Sequence, residues 1–368
     1  MLLINDFTSC SLTKICIMSQ SGELDPDIPD RETCQKLTEQ FAEVTGTDEA
    51  CAQFYLQDRK WDLERSVNAF FEATQNGGVS FLTDGDEGEL VVNVNKAMVN
   101  ALGLDQATSE PPSKFSFISW NLDGLDERNL KRRTKAVCKI IYMEKPDIVF
   151  LQEVIQETFS YIENKLPEYM CIAGNTDGYF IATLLRRFTV YYDSHKITEH
   201  SGSLMMRNLL TVEAHIGSLK LQLVNTHLES TKDHASERIK QLKDSFKVVQ
   251  DFAEENTVLL SGDMNLRDKE LELAGGIPPG IEDLWISCGS RKECQYTWDM
   301  VRNCNKEMPG RFKPRCRFDR AYIRHSHPKR VTPVHFGLVG IEKVTSTQCF
   351  PSDHWGLHIH FKIETSDT

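Results

Sequence analysis

The sequence lacks the marks of several common protein classes. Its 11 cysteines are scattered, odd in number and never spaced Cys-x-x-Cys, so neither structural zinc nor a disulfide framework is predicted, and a reducing compartment is favoured. No stretch approaches the ~20 apolar residues that a membrane span requires. A Gly-rich nucleotide loop is missing too, which argues against a kinase. The residues before Met18 have no basic segment, so no signal peptide is predicted, and Met18 is an alternative start to Met1.

The excess of basic residues that is typical of nucleic-acid-binding proteins is also missing, because the formal net charge is −12. The negative net charge comes from the first third of the chain. Residues 1–113 contain 7 Lys and Arg against 20 Asp and Glu, whereas residues 114–368 contain 35 against 34. The larger part is therefore close to neutral, and local basic patches in it could still hold a polyanion.

The acidic first third contains one ordered segment between two polar ones. Residues 1–31 are predicted to be disordered, and residues 74–113 are predicted to be an acidic flexible linker. Between them, residues 32–73 show three short stretches of helical periodicity. This segment resembles a ubiquitin-associated domain, which implies ubiquitin as a partner; a helical bundle without a ligand is the alternative. Residues 90–94 resemble a SUMO-interacting motif and imply SUMO as a partner, although such apolar runs are common by chance.

Residues 114–363 have the pattern of an α/β domain, and residues 364–368 form a tail. Residues 235–249 repeat apolar side chains at helical spacing. Another helix is predicted to be capped by Asp126 and to carry Lys131 to Arg133 on a solvated face, with a nuclear signal as the alternative. Besides the run that begins at Thr257, the predicted strands span residues 115–120, 147–151, 180–185, 209–215, 220–225, 295–299, 317–323 and 355–361.

The run from Thr257 to Ser261 reads as a buried strand, and Gly262-Asp263-Met264-Asn265 follows it. Gly262 permits a tight turn, after which Asp263 and Asn265 leave the sheet at its carboxyl edge, where open α/β folds place ligands. One interpretation is an Asx turn that only closes the strand. The other is a carboxylate and an amide that are offered to a shared ligand.

Five further strand boundaries in this domain supply Asn, Asp, Glu or His. One such boundary is ordinary, but six in one domain are hard to explain as turns alone. These residue types suit hydrolysis of a phosphodiester assisted by Mg²⁺, which prefers oxygen ligands and one or two carboxylates. A carboxylate can orient and deprotonate water, while imidazoles and amides stabilise a pentacoordinate phosphate. The further residues are Asn121 with Asp123, Glu153, His227, Asp319, and Asp353 with His354.

Five motifs occur in the order found in the endonuclease/exonuclease/phosphatase (DNase I-like) superfamily. The motifs are Trp120-Asn121, Gln152-Glu153, Thr226-His227-Leu228, Gly262-Asp263-x-Asn265 and Ser352-Asp353-His354. The resemblance covers essentially all of residues 114–363, and it implies a four-layer α/β sandwich behind the ubiquitin-associated-like domain. It also implies that Glu153 holds Mg²⁺, or Mn²⁺ as an alternative ion, with Asn121 and Asp123 near the metal. Whether Asp123 and Asp353 reach the metal directly or through water stays open.

The resemblance implies the catalytic roles as well. Asp263 would activate water, Asn265 would position it, and His227 would contact the phosphate. His354, supported by Asp319, would stabilise the transition state. The residues expected to touch substrate are Asn121, Asp123, Tyr179, Arg207, His227, Glu229, Ser230, Lys232, Asn265, Leu266, Arg267, Trp298, Phe318 and His354.

Several of these assignments have a plainer alternative. The aromatic members would stack on bases of a DNA end, or else they are core residues. The arginines would contact phosphates, or else they are surface charges. Lys232 stands where the relatives often have Arg, and it loses the bidentate geometry. A basic run from Arg311 to Arg317 either contacts phosphates or is solvated, and His358 and His360 are interpreted as plain surface residues.

The resemblance narrows to members of the superfamily that release a topoisomerase II tyrosine from a DNA 5′ phosphate and leave a 5′-phosphate end for repair. Segments such as Gln295–Asp299 and Phe350–Gly356 carry this narrower likeness. It implies a monomeric hydrolase in the nucleus, with the cytoplasm as a further location, DNA as partner and no membrane attachment. The alternatives are an abasic-site endonuclease, an RNA deadenylase or a phosphoinositide phosphatase. An adaptor with vestigial catalysis is the alternative from another class.

Overall fold

The chain divides into two units, residues Met1–Gln106 and Ala107–Thr368, and each is described by itself. The computed structural model describes residues 29–45, 47, 52–53, 55–56, 61–67, 70, 112–307, 311 and 313–364. The predicted SUMO-interacting segment, most of the predicted linker and the predicted disordered N-terminus lie outside these residues. The predicted domain boundaries therefore stay predictions.

The first unit contains helix α1, Arg31–Thr45, and a small apolar core. The side chain of Asp30 accepts a hydrogen bond from the backbone N–H of Thr33 at 2.8 Å, which satisfies one of the free donors at the start of the helix. Phe41 lies on the helix face that the periodicity predicts, and it is fully buried. It packs with the buried residues Ala52, Leu56 and Val67.

The second unit is built from two six-stranded sheets and a short ribbon. The strands are β1 Lys114–Asn121, β2 Ile148–Ile155, β3 Tyr169–Ala173, β4 Tyr179–Arg186, β5 Tyr191–Glu199, β6 Asn208–Ile216, β7 Leu219–His227, β8 Thr257–Asp263, β9 Ile281–Asp283, β10 Trp298–Asp299, β11 Arg315–Cys316, β12 Asp319–Arg324, β13 Val331–Val339 and β14 Gly356–Ile363. The sheets have the orders β13-β14-β1-β2-β4-β3 and β5-β6-β7-β8-β12-β9, and β10 pairs with β11.

Helices cover the outer face of each sheet. They are α2 Leu130–Glu144, α3 Gln156–Lys165, α4 Ala235–Asp251 and α5 Asp268–Leu273. The short helix α6, Leu284–Ser287, instead packs Leu284 into the core between the sheets. The inner faces of the sheets share one core, in which Phe117 and Phe150 of the first sheet join Leu223 and Leu259 of the second. A second core lies under α2 and α3, and a third lies under α4. The order helix, sheet, sheet, helix confirms the predicted four-layer α/β sandwich.

Strand direction sets where the polar strand ends meet. β1 is parallel to β2, with Asn121 opposite Gln152, and β7 is parallel to β8, with His227 opposite Asp263. The antiparallel strand β12 begins where β8 ends, so Asp319 also lies opposite Asp263. Parallel strands end, and antiparallel strands begin, at the same edge of a sheet. Most of the predicted polar residues therefore reach one edge of the sandwich.

Some predicted elements differ from the observed ones. The strand predicted over residues 295–299 is only β10, because a 3₁₀ turn over Lys292–Cys294 precedes it. The strand predicted from residue 317 begins at Asp319, since β11 pairs with β10 instead of continuing into β12. Asn129, not Asp126, precedes α2. Within the part of the chain that the structure describes, no helix is long and apolar enough to cross a membrane.

Candidate active site

The end of β8 combines a tight turn with a buried carboxylate. Gly262 has φ +151°, and a Cβ at this position would lie 1.8 Å from the carbonyl oxygen of Thr226, so no larger residue fits without a shift. Oδ1 of Asp263 accepts from the backbone N–H of Asn265 at 2.9 Å, which is an Asx turn. The other oxygen, Oδ2, accepts from Nδ2 of Asn121 at 3.0 Å. The stretch thus forms the predicted Asx turn, and the same carboxylate also contacts Asn121. Its role in a functional site stays a prediction.

His354 joins Asp263 to a second buried carboxylate. Nδ1 of His354 lies 2.8 Å from Oδ2 of Asp319, and Nε2 lies 3.8 Å from Oδ2 of Asp263. Burial alone would lower the pKa of His354, but the carboxylates of Asp319, Asp263 and Asp353 outweigh it and raise the pKa well above its ordinary value. The imidazole therefore carries a proton at neutral pH. Thr297 holds Asp319 in place, because its hydroxyl accepts from the backbone N–H of Asp319 at 3.0 Å.

His227 lies on the other side of Asp263 and is neutral. Burial, followed by the charge of Arg207, lowers the pKa of His227 to about 4. Nη1 of Arg207 lies 2.7 Å from Nδ1, which makes Nδ1 the acceptor, and Nε2–H then faces Oδ2 of Asp263 at 3.3 Å. Burial would raise the pKa of Asp263, but the charge of His354 and the hydrogen bond from His227 lower it. Asp263 is thus an ionised carboxylate between one charged and one neutral imidazole.

Asp263, Asp319 and His354 also form a group of the kind that can bind a metal, since one ligand atom of each lies within 4.8 Å of the others. Nδ1 of His354 already faces Oδ2 of Asp319 at 2.8 Å, so Nε2 is the nitrogen that this residue could offer to an ion. The same arrangement can instead hold a proton on the imidazole between two carboxylates.

A cation site is also predicted at Glu153. Oε1 of Glu153 lies 3.9 Å from Nε2 of His227. Burial, followed by the carboxylates of Asp353, Asp263 and Asp123, raises the pKa of Glu153 to about 7. A carboxylate that is destabilised by neighbouring negative charge fits a divalent cation, which would reverse that effect. The oxygen-only donor set suits Mg²⁺ or Mn²⁺.

Asp123, the second predicted metal ligand, already has basic neighbours. Its Oδ1 accepts from Nζ of Lys306 at 2.8 Å, and its Oδ2 lies 3.6 Å from Nη1 of Arg133 and makes no hydrogen bond. Burial would lower the pKa of Lys306, but its bonds to Asp123 and Asp126 raise it, so the side chain is an ammonium. The role of Asp123 as a direct metal ligand stays a prediction.

Arg133 was predicted to lie on a solvated helix face, and that prediction is wrong for this residue. Its side chain is buried because the loop before α2 turns several carbonyl groups toward the guanidinium. The guanidinium donates to the carbonyl oxygens of Leu122 at 3.1 Å and of Asp123 at 2.9 Å, and it also donates to that of Asp126. Arg133 therefore holds the Asp123 loop from beneath.

Two of the predicted phosphate-binding arginines lie against aromatic rings. The guanidinium carbon of Arg207 lies 5.0 Å from the ring centre of Tyr179, and that of Arg267 lies 5.6 Å from the ring centre of Phe318. Arg207 is buried and is therefore no ordinary surface charge. Nε1 of Trp298 donates to Oδ2 of Asp353 at 3.1 Å, which places this ring beside Asp353.

Other predicted substrate residues are placed differently. The carboxylate of Glu229 is buried and accepts from Ser203 Oγ at 2.8 Å, from Leu204 N–H at 2.9 Å and from Gln241 at 3.0 Å, so it anchors a loop. Leu266 belongs to the core under α4. Ser230 is half-buried, and its hydroxyl contacts a methionine sulfur. Lys232 is exposed. Asn265 donates to the carbonyl of Leu228 at 3.2 Å, beside His227.

The basic run and the strand histidines also required correction. Arg315 pairs with Asp299 at 2.7 Å and Arg317 pairs with Asp283 at 2.8 Å, so two members of the run are neutralised by carboxylates. His358 is not a surface residue: it is buried under α2, and its ring centre lies 4.4 Å from that of His360. Strand alternation placed the two histidines on one face correctly, but it does not report what covers that face.

Sequence reasoning missed two residues that shape the site. Thr297 orients Asp319, and Lys306 neutralises Asp123. Thr297 lies in the segment Gln295-Tyr296-Thr297-Trp298-Asp299, which was predicted to be a strand and to carry part of the narrower resemblance, but no role was assigned to the threonine. Lys306 lies in the polar stretch Asn303-Cys304-Asn305-Lys306, which has no feature that distinguishes it from an ordinary loop.

The geometry can be set beside known proteins. The model of the endonuclease/exonuclease/phosphatase family matches residues 118–354, and that of a UBA-like domain matches residues 32–77. The chain therefore belongs to the endonuclease/exonuclease/phosphatase family, with a UBA-like domain before the catalytic fold. The predicted family is confirmed, and so is the predicted class of enzyme, a phosphodiesterase.

Within that family the chain belongs with the tyrosyl-DNA phosphodiesterase 2 relatives. It is 39% identical to tyrosyl-DNA phosphodiesterase 2 of Xenopus laevis over 344 residues, which are 88% of this chain and 92% of the relative. It is 37% identical to that of Homo sapiens over 352 residues, or 93% of this chain and 95% of the relative. The crystal structure of the Danio rerio enzyme complexed with single-strand DNA product is similar with a TM-score of 0.66 and 39% identity, over 68% of this chain and 100% of that chain.

Proposed function

We propose that the chain is a Mg²⁺-dependent 5′-tyrosyl-DNA phosphodiesterase. It hydrolyses the phosphodiester between a topoisomerase II tyrosine and a DNA 5′ phosphate, and it leaves a 5′-phosphate end for repair. The observation that carries this proposal is the buried series Asp319, His354 and Asp263 opposite Glu153, in a chain similar to tyrosyl-DNA phosphodiesterases over most of its length. Mg²⁺, when bound at Glu153, would neutralise charge on the phosphate and on the leaving oxygen.

Asp263 orients the attacking water. Its carboxylate stays ionised, because His354 and His227 hold its pKa low, so it accepts the proton of the water only as the new phosphorus–oxygen bond forms. The bond from phosphorus to the tyrosine oxygen breaks in the same displacement. The pentacoordinate phosphate gains negative charge on its equatorial oxygens, which the protonated His354 stabilises.

The leaving group fits a site without a dedicated acid. A tyrosine phenolate has a conjugate acid of pKa about 10, so it leaves as an anion more readily than a sugar alkoxide. Two titratable groups at the sheet edge are then sufficient for the reaction: Asp263 accepts the proton of the water, and His354 stabilises the charge on the phosphate. This reasoning favours a tyrosyl ester over the abasic-site and RNA alternatives.

The DNA would lie along the side of the site that carries Arg207 and Arg267. Each guanidinium stacks on a ring, which limits its motion. Arg207 directs one nitrogen to His227, and Arg267 lies 3.7 Å from Glu270, so their remaining N–H groups would meet the phosphates. Trp298 and Phe318, whose ring centres lie 5.5 Å apart, would support the terminal base. The similarity to a relative solved with single-strand DNA product supports this placement.

A side-by-side assay tests the proposal. The full chain is incubated with a 5′-phosphotyrosyl oligonucleotide, an abasic-site duplex, poly(A) and an inositol polyphosphate, each with Mg²⁺ or with EDTA. We expect release of tyrosine from the first substrate only, and only with Mg²⁺. Faster turnover of any other substrate would refute the proposed specificity.

A matched pair of variants ties the activity to the site. Asp263→Asn should lose at least about 100-fold in kcat, as expected when a general base is removed. Asp147→Asn removes another buried carboxylate, one that accepts from the backbone N–H of Ser116 at 2.8 Å at the opposite end of the strands. It should keep near-normal activity. A folded Asp263→Asn variant with a normal rate would contradict the assigned role.

The first unit would bind ubiquitin, as its UBA-like match suggests. Titration of ¹⁵N-labelled full chain with ubiquitin should shift resonances around the core that contains Phe41 and Val67. An absence of shifts at millimolar ubiquitin would end the idea. The nuclear location, with the cytoplasm as a further site, belongs to the same proposal, and imaging of the tagged chain in cells tests it.

A further inference from the structure

Lys306 makes two close ion pairs at the edge of the active site. Its Nζ lies 2.8 Å from Oδ1 of Asp123 and 3.0 Å from Oδ2 of Asp126. The side chain of Lys306 is 30% exposed, whereas those of Asp123 and Asp126 are 6% and 11% exposed. An ammonium in this position is a fixed positive charge among groups that would otherwise attract a metal ion.

The segment that carries Lys306 is fastened on both sides. Asn305 donates through Nδ2 to the carbonyl of Phe350 at 2.9 Å and accepts through Oδ1 from the N–H of Phe350 at 2.8 Å. Asn303 donates to the carbonyl of Ser352 at 2.9 Å. On the other side, Arg128 donates to the carbonyl of Asn305 at 2.8 Å. The placement of the ammonium is therefore built into the fold rather than left to a free side chain.

Asp123 shows what the ammonium replaces. Its backbone is held by an Asx turn, since its N–H donates to Oδ1 of Asn121 at 2.9 Å. Its Oδ2 is buried and makes no hydrogen bond, although Arg133 lies 3.6 Å away. A carboxylate with a free, buried oxygen beside Glu153 and Asp353 is a donor set that could take a cation. In this chain that carboxylate faces two basic side chains instead.

We propose that Lys306 is a tethered cation that competes with a divalent ion for Asp123, so that metal binding is confined to the Glu153 side. Lys306 is in this sense a positioning residue, which acts through Asp123. The inference rests on the proposed metal dependence, but it concerns how many ions bind and how tightly, not whether the reaction occurs.

Direct Mn²⁺ binding to the full chain, followed by electron paramagnetic resonance of the free ion, tests the proposal without any substrate. At the free Mn²⁺ concentration that half-saturates the unmodified chain, Lys306→Met should hold at least about 1.8 times as much Mn²⁺, the ratio that a tenfold gain in affinity gives at half-saturation. Removal of a unit charge next to a ligand is worth about tenfold or more in cation affinity. Lys306→Arg keeps the charge and should bind Mn²⁺ like the unmodified chain.

Two further variants separate competition from a general effect. Lys220→Met removes a lysine that pairs with Glu255 at 3.6 Å where both side chains are exposed, and it should leave Mn²⁺ binding unchanged. Asp123→Asn, added to Lys306→Met, should abolish the gain. Circular dichroism and melting of each variant show whether it is folded.

The outcomes are distinct. A gain in Lys306→Met that Lys306→Arg lacks and that requires Asp123 supports the proposal. Equal Mn²⁺ binding by folded Lys306→Met and the unmodified chain overturns it, including the case in which neither binds. An unmodified chain that binds no Mn²⁺ at millimolar concentration counts separately against the proposed function, and so does an activity that EDTA does not reduce.

Discussion

Asp319→Asn should disable catalysis while it leaves the fold intact. Asp319 is buried, and its Oδ2 lies 2.8 Å from Nδ1 of His354. Asparagine has the same shape but no charge, and it can turn an N–H toward the imidazole. The change therefore removes both the charge that keeps His354 protonated and the acceptor that fixes its ring.

The size of the effect follows from the contact. Two unit charges 2.8 Å apart attract by about 6 kcal/mol at an effective dielectric constant of about 20. The amide keeps part of this as a hydrogen bond, so about 3 to 5 kcal/mol of support for the imidazolium is lost. At about 1.4 kcal/mol per tenfold, kcat falls by roughly 10²- to 10⁴-fold. This range agrees with the effect of the corresponding change in a Ser-His-Asp triad.

The pH profile provides a sharper readout than the rate. The pKa of His354 is raised, so its imidazolium persists at neutral pH and is lost only as the pH rises through that value. In Asp319→Asn the same pKa falls, and the alkaline limb of kcat moves to lower pH. Residual activity should then recover as the pH is lowered toward about 5.5, below the ordinary histidine value. The measurement is single-turnover cleavage of a 5′-phosphotyrosyl oligonucleotide from pH 5 to pH 9.

The comparison with Asp147→Asn excludes a general effect of losing a buried carboxylate, because Asp147 accepts from Ser116 far from the carboxyl edge. Asp147→Asn should keep the wild-type pH profile. A folded Asp319→Asn variant whose rate falls with no displacement of the alkaline limb would refute the reasoning. That result would mean that Asp319 acts only as a structural acceptor.

Three further substitutions have defined expectations in equilibrium unfolding, with circular dichroism as the readout. Burial lowers the pKa of His358 to about 4 from 6.5, so the stability that its neutral form contributes is complete above pH 6.5 and is lost as the pH falls. His358→Leu should therefore reduce the difference in unfolding free energy between pH 7.5 and pH 5 by about 2 kcal/mol. An unchanged difference would contradict this. Gly262→Ala should cost at least about 3 kcal/mol, because its Cβ would lie 1.8 Å from the carbonyl oxygen of Thr226; a wild-type melting curve would show that the turn relaxes freely. Arg238→Met should lower the free energy of unfolding by about 3 to 5 kcal/mol at any salt concentration, since Arg238 and Glu270 form a buried ion pair at 2.5 Å. A loss below about 1 kcal/mol would show that the pair behaves like a solvent-exposed ion pair.

The residues at the ends of parallel strands were predictable, and the structure explains why. β1, β2, β7 and β8 are buried along most of their length. β2 and β8 read as apolar runs whose end is visible where polarity begins, whereas β1 and β7 alternate apolar and polar residues and are recognised by that alternation. The order of the motifs along the chain, which matches that of the superfamily, indicates how the strands are arranged in the sheets. Glu153, Asp263 and their neighbours could therefore be placed at one edge before any coordinates were known.

Two of the strands that were missed have weaker signals for physical reasons. β5, Tyr191–Glu199, is exposed along most of its length, so it has no apolar face to detect. β13, Val331–Val339, contains Pro333 and a register shift after it, which break the alternation. Both are edge strands, where neither periodicity nor composition needs to match a buried pattern. The fold class survives these omissions because the central strands determine the layers.

The positions of Lys306 and Arg133 beside Asp123 could not be predicted from local sequence. Each is a basic residue in a polar or amphipathic context, and sequence pattern gives such residues a solvated interpretation. Arg133 is buried because backbone carbonyl groups of loop residues 122–126 accept hydrogen bonds from its guanidinium. What places Lys306 is a pair of asparagines bonded to residues more than 40 positions away. Neither partner set is visible in local sequence.

Backbone strain explains how the strand ends become a site. Asp123, Glu153 and Asn265 have positive φ of 52°, 52° and 48°, a conformation that costs non-glycine residues about 1 to 3 kcal/mol each. Each is held by a bond that offsets the cost. Asx turns from Asn121 and Asp263 fix Asp123 and Asn265, and the carbonyl of Glu153 accepts from the N–H of Gly124 at 3.1 Å. The Asx turn at Asp263 is therefore not an alternative to a site, because it is the means by which the chain turns out of the sheet at the carboxyl edge, where the site is proposed.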